Sequence, residues 1–159
     1  MRYLALLLLV LVLLGCSSPK LAIQNDPIDP ARPTLMVAVL KNSHTPFKQE
    51  LIDRLRQDYS DSLNVVVREV KKPQDIAGEE YSALLVMETL KAWLWFNGGL
   101  KKFAARPDQS RTVYFVSVGD EKWRWKRDDL TVLTAATQKV KAADTYPQLR
   151  QLLDPLLQP

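Results

Sequence analysis

Two rhythms of apolar positions run along the chain. Residues 35–40 (Leu-Met-Val-Ala-Val-Leu), 63–70, 81–87, 112–118 and 130–137 are short, nearly continuous apolar runs, several rich in valine. Runs of that length and composition predict strands buried on both faces, as in a parallel sheet. Between them the spacing changes. Thr45-Pro46 has the chemistry of a helix start, with Thr45 as cap and Pro46 at the first helical position. Phe47, Leu51, Ile52, Leu55 and Tyr59 then recur at helical spacing. Residues 92–104 predict a second helix, with Trp93, Phe96, Leu100 and Phe103 on one side and Gly98-Gly99 interrupting or kinking it. Thr145 and Pro147 open a last helix, with Tyr146, Leu149, Leu152, Leu153 and Leu156 as its apolar face. Residues 71–80 form a connector with at most a turn of helix. Strands alternating with helices predict an α/β three-layer sandwich: a mostly parallel, five-stranded sheet covered on both faces.

The first residues follow neither rhythm. Met1-Arg2-Tyr3 is a short positive start, and residues 4–14 are an unbroken apolar run of 11. A bilayer span needs about 20 residues, so this run has the length of a signal-peptide core. It closes on Leu13-Leu14-Gly15-Cys16, followed by Ser17-Ser18-Pro19. This segment resembles a bacterial lipobox, in which a small residue precedes a cysteine that is lipidated and becomes the first residue of the mature protein. The resemblance implies a signal peptide over 1–15, lipidation of Cys16 and stable attachment through several acyl chains. In lipoproteins of double-membrane bacteria, an Asp after the cysteine marks inner-membrane retention. This chain has Ser17, which implies the outer membrane, with the domain facing the periplasm.

Residues 17–34 contain four of the ten prolines and no period. Together with Cys16 they read as a tether, 16–34, before a single domain at 35–159. The 22 Lys and Arg exceed the 18 Asp and Glu by four, too modest an excess to make nucleic acid the default partner. The single cysteine excludes a disulfide framework and any multi-cysteine metal site. As a lipid anchor it would leave the mature domain without a thiol.

Three segments carry a second resemblance. Residues 37–45 (Val-Ala-Val-Leu-Lys-Asn-Ser-His-Thr) run from a strand through a Ser/Thr loop to a helix. Residues 80–87 and 113–119 are similar to a third and a fourth strand, each leading to a ligand loop. The pattern resembles a short flavodoxin-like domain, which implies strand order 2-1-3-4-5 and a ligand crevice at the strand C-termini. In flavodoxins the first loop, roughly Ser/Thr-x-Thr-Gly-x-Thr, cradles the FMN phosphate. Here Ser43 and Thr45 match, but Pro46 replaces the glycine and Lys48 the last threonine. Proline removes an N–H donor and forbids the left-handed backbone that glycine allows. The loop therefore reads as degenerate, with Asn42, Ser43, His44, Thr45 and Lys48 as a candidate phosphate or ligand loop in which Lys48 supplies compensating charge. FMN remains an alternative cofactor. The family's second loop places an aromatic against the flavin. Residues 87–99 offer Trp95 for that role, or for the surface, while Trp93 and Phe96 have core spacing.

The most distinctive local run is Lys122-Trp123-Arg124-Trp125-Lys126-Arg127. Trp123, Arg124 and Trp125 suit an anionic surface, lipid or lipopolysaccharide, or a ligand held by cation–π contact. The alternative is a hairpin or loop whose tryptophans cover a sheet edge, with its charges solvated. Asp120, Glu121, Asp128 and Asp129 nearly balance its charge. Nucleic acid fits this chemistry but not the compartment. His44 is the only histidine, and no Gly-x-Ser-x-Gly elbow, Walker loop or His-Glu-x-x-His motif occurs. The sequence thus points to a non-catalytic, membrane-anchored domain that binds an envelope partner or ligand, with FMN-dependent electron transfer as the alternative.

Overall fold

The computed structural model describes residues 23, 25–41, 43–76, 78–90, 98–120, 122, 125 and 127–158. Five strands, β1 (Thr34–Leu40), β2 (Asn64–Val70), β3 (Ala83–Leu90), β4 (Thr112–Val118) and β5 (Thr131–Ala136), form one sheet in the order β2-β1-β3-β4-β5. Every neighbouring pair is parallel. This is the flavodoxin-like order. The helices are α1 (Pro46–Tyr59), α2 (Gly98–Ala104) and α3 (Ala142–Leu157), with a 3-10 turn at Pro73–Ile76.

The central strands are apolar throughout because both their faces are covered. On β1, Leu35, Val37 and Val39 point to one face and Met36, Ala38 and Leu40 to the other. The first face packs against Leu51, Ile52 and Leu55 of α1 and Leu149 and Leu153 of α3. The second packs against Ile76 of the 3-10 turn and Leu100 and Phe103 of α2. These are the helical stripes that the sequence shows. Trp93 and Phe96, assigned to the second helix with them, lie outside the described residues, as do residues 91–97 altogether. The described part of that helix is Gly98–Ala104.

Other boundaries shift by a few residues. β3 continues to Leu90, past the apolar run, and carries Glu88 and Thr89 into the sheet. α3 starts at Ala142, three residues before Thr145, with Pro147 and Pro155 inside it. Thr145 sits in its first turn, where its hydroxyl donates to the Lys141 carbonyl (3.2 Å).

The segment expected to be spacer is fastened to the domain from Asn25 onward. The Asn25 side-chain amide donates to the carbonyl of Val67 (3.2 Å) and accepts from its N–H (2.8 Å), as a neighbouring strand would. Asn64 accepts from the Asp29 N–H (2.9 Å) and donates to the carbonyls of Asp29 (2.7 Å) and Arg32 (3.1 Å). The Arg32 guanidinium reaches the Ser60 carbonyl (3.0 Å). Two asparagines thus strap this stretch along β2, an edge strand whose unpaired groups would otherwise invite another chain. Replacing the 9%-exposed Asn64 by alanine leaves an N–H and two carbonyls without partners. We expect Asn64→Ala to lower stability by about 2 kcal/mol, read as a lower urea midpoint at unchanged m-value.

Candidate functional site

The C-terminal ends of parallel strands are where a sheet of this order opens its ligand crevice. Here that end holds a closed polar network built around Lys48. Thr45 caps α1, its hydroxyl accepting from the Lys48 N–H (3.3 Å), with Pro46 at the helix start. This cap puts Lys48 in the first turn, three and four residues before Leu51 and Ile52 and on the same buried stripe. The side chain is 0% exposed. Its ammonium donates to the Ser43 carbonyl (2.7 Å) and the Thr89 hydroxyl (2.7 Å).

The partners bond onward. Thr89 Oγ1 donates to the Ser43 carbonyl (3.1 Å) and lies 2.9 Å from Ser117 Oγ, which also reaches the Glu88 carbonyl (3.2 Å). Ser43 Oγ donates to Glu88 Oε1 and accepts from the Thr89 N–H (3.1 Å); that N–H also reaches Glu88 Oε1 (2.8 Å). Five side chains from α1, β3, β4 and the loop after β1 therefore satisfy one another. Burial pushes the Lys48 amine down to about 7, the Glu88 carboxylate opposing that shift.

His44 follows Ser43 in the loop. Its ring is partly buried, and Nδ1 has no partner. Partial burial, then the charge of Lys48, hold the imidazole below its ordinary range, with Glu69 acting in the opposite sense. The ring is neutral at neutral pH.

The structure thus brings together Ser43, His44, Thr45 and Lys48. It gives Lys48 a different task from the one expected. The amine points into the fold, not toward a bound phosphate. The Ser43 N–H is taken by the Leu40 carbonyl (2.9 Å), the Lys48 N–H by Thr45, and Pro46 has none. Ser43 beside Glu88 has the composition of a nucleophile and base, but Ser43 is only 2% exposed and its proton is committed to the carboxylate. The network ties the loop after β1 to β3 and β4.

Glu88, Thr89 and Ser117 were not among the expected site residues. Their signal was polar residues closing an apolar strand run (Glu88-Thr89) or interrupting one (Ser117).

Trp125 is half-buried. Its ring meets Tyr114 edge-on at 5.3 Å between centroids and packs beside Val116 and Val118. It packs on β4, one strand in from the sheet edge. Lys122 is exposed, and Arg127 pairs with Asp129 (2.5 Å). Cys16, Asn42, Trp95, Trp123 and Arg124 lie outside the described residues. Among the described residues, no three His, Cys, Asp or Glu side chains gather as metal ligands, and no helix is long and apolar enough to cross a membrane.

Comparisons of the chain with protein-family models, curated proteins and solved structures returned no match.

The buried amine makes stability depend on pH. Its folded pKa lies below the unfolded value near 10.5, so between about 7 and 10.5 the unfolded chain binds more protons. Stability therefore rises with pH through that window, by at most about 1.4 kcal/mol per unit. Lys48→Met, of similar volume, removes this contribution. Urea titrations at several pH values should show a rise for the parent chain over pH 7–10 that is absent from the variant.

Proposed function

We propose that this chain is a periplasmic lipoprotein, anchored to the outer membrane through Cys16, whose α/β domain binds an envelope partner and catalyses no reaction. The observation that carries the non-catalytic part is the closed network at the strand C-termini. Its hydroxyls, carboxylate and amine are bonded to one another, and the amine that would have faced a phosphate is buried. The anchored part rests on the sequence: an 11-residue apolar core ending in Leu-Leu-Gly-Cys, then a polar, proline-containing stretch. The strap formed by Asn25 and Asp29 supports a domain held close behind that anchor.

The alternative, an FMN-binding electron carrier, draws support from the strand order and from Ser43 and Thr45 at the helix entrance. The buried Lys48 amine, Pro46 in place of a glycine, and the engaged N–H groups of Ser43 and Lys48 argue against it. Two experiments test these readings. Expressed in a double-membrane bacterium, the parent chain should float with the outer-membrane fraction, and Cys16→Ser should move to the soluble periplasmic fraction. Identical fractionation of both would end the lipoprotein reading. Separately, titrating the purified domain into FMN should leave flavin fluorescence unquenched up to high micromolar protein. Saturable quenching would restore the electron-carrier reading.

A further inference from the structure

The two ends of the sheet differ in charge. Among the described residues, the loops leaving the strands (41–45, 71–72, 119–122 and 137–141) carry six exposed lysines: Lys41, Lys71, Lys72, Lys122, Lys139 and Lys141. The same ranges hold two acids, Glu121, which lies outside the described residues, and Asp120, whose carboxylate accepts from the Lys122 N–H (3.1 Å). Asp75, in the neighbouring 3-10 turn, likewise accepts from the N–H groups of Lys71 and Lys72 (3.1 and 3.0 Å). The loops entering the strands (29–33, 60–63, 78–82, 105–111 and 127–130) are the reverse, with seven acids against four arginines. Parallel strands put all the leaving loops at one end. A scatter of surface charges along the chain thereby becomes a basic end and an acidic end.

The strap supplies a direction. Asn25 lies opposite Val67 and Asp29 opposite Asn64, so residues 25–29 run antiparallel to β2. Followed back toward Cys16, this stretch travels toward the Val70 end of β2, which is the basic end. Nine Cα steps separate Cys16 from Asn25, so the anchor lies within about 30 Å of the strap.

We propose that the strand C-terminal end of the domain is its membrane-facing surface, and that it docks on anionic phospholipid headgroups of the leaflet holding the Cys16 lipid. An anionic surface attracts basic residues held near it, and the lipid anchor keeps the lysines within reach. The acidic end is repelled, so the same field that attracts one end turns the other outward. The closed Lys48 network fits this arrangement: the end that would hold a ligand in an open crevice is sealed and lies against lipid. Exposed loops, not the crevice, make the contact. This inference rests on Cys16 being the point of attachment.

The test separates orientation from natural acylation. The chain lacking residues 1–15 is coupled through Cys16, its only thiol, to a maleimide lipid in vesicles. One set of vesicles is phosphatidylcholine alone and the other contains phosphatidylglycerol. Backbone hydrogen exchange is compared between them. With phosphatidylglycerol, exchange in 71–72 and 137–141 should slow several-fold, while 78–82 and 105–111 stay unchanged. Lys139→Glu with Lys141→Glu should abolish the slowing while leaving the thermal midpoint in solution unchanged, as should high salt. Equal exchange on both vesicles, protection at 78–82 and 105–111, or protection at both ends overturns the proposal. Failure of Cys16→Ser to leave the membrane fraction in cells overturns the lipoprotein reading instead, and the two results are read independently.

Discussion

An ammonium group buried in a protein must be surrounded by acceptors or lose its proton, and Lys48 organises one end of this fold by that requirement. Its acceptors belong to the loop after β1 and to β3, and through Thr89 the network continues to Ser117 in β4. Satisfying one amine therefore fixes where the first crossover leaves the sheet, where α1 begins and how β3 ends. The net energy of such a group is small, since desolvation offsets most of the attraction. Its effect is geometric. A loop whose carbonyl is held by a buried cation, and whose hydroxyl is held by a carboxylate, has little freedom to open around a ligand.

Most of the fold was legible because its governing patterns are local. Continuous apolar runs marked the strands, and Leu51, Ile52 and Leu55, or Leu149 and Leu153, marked the helical faces. Lys48 could have been read the same way, since it lies on the α1 stripe. A charged residue on an apolar stripe is normally turned outward, and acceptors from the loop after β1 and from a distant strand make the inward orientation possible. Glu88 and Thr89 were misread for a related reason: polarity suggested that the strand had ended, whereas partners from the neighbouring loop let it continue. The strap was illegible. Asn25 and Asn64 act through side-chain amides bonded to backbone 42 and 35 residues away, and amide pairing of this kind leaves no periodicity. The proline-rich composition correctly signalled irregular backbone but could not show that it is docked.

The contrast between network and strap bears on how this architecture is used. In an open parallel sheet the strand C-termini collect helix starts, loop N–H groups and polar side chains, and ligands usually exploit them. Here the same inventory is present, with a capped helix start, hydroxyls, a carboxylate and a lysine. It is turned inward and spent on itself. Around this network, the charged residues that meet the outside are those on the loop surfaces. Those surfaces are not random, because parallel topology sorts residues by whether they follow or precede a strand. Lysines at the first positions after β1 and β2, and again after β5, are unremarkable one at a time in the sequence. Stacked at one end of the sheet they form a field, and residues 29 back to 25 run along β2 toward that same side. A single topological rule thus explains both why the polar network could assemble and why the charge around it has a direction.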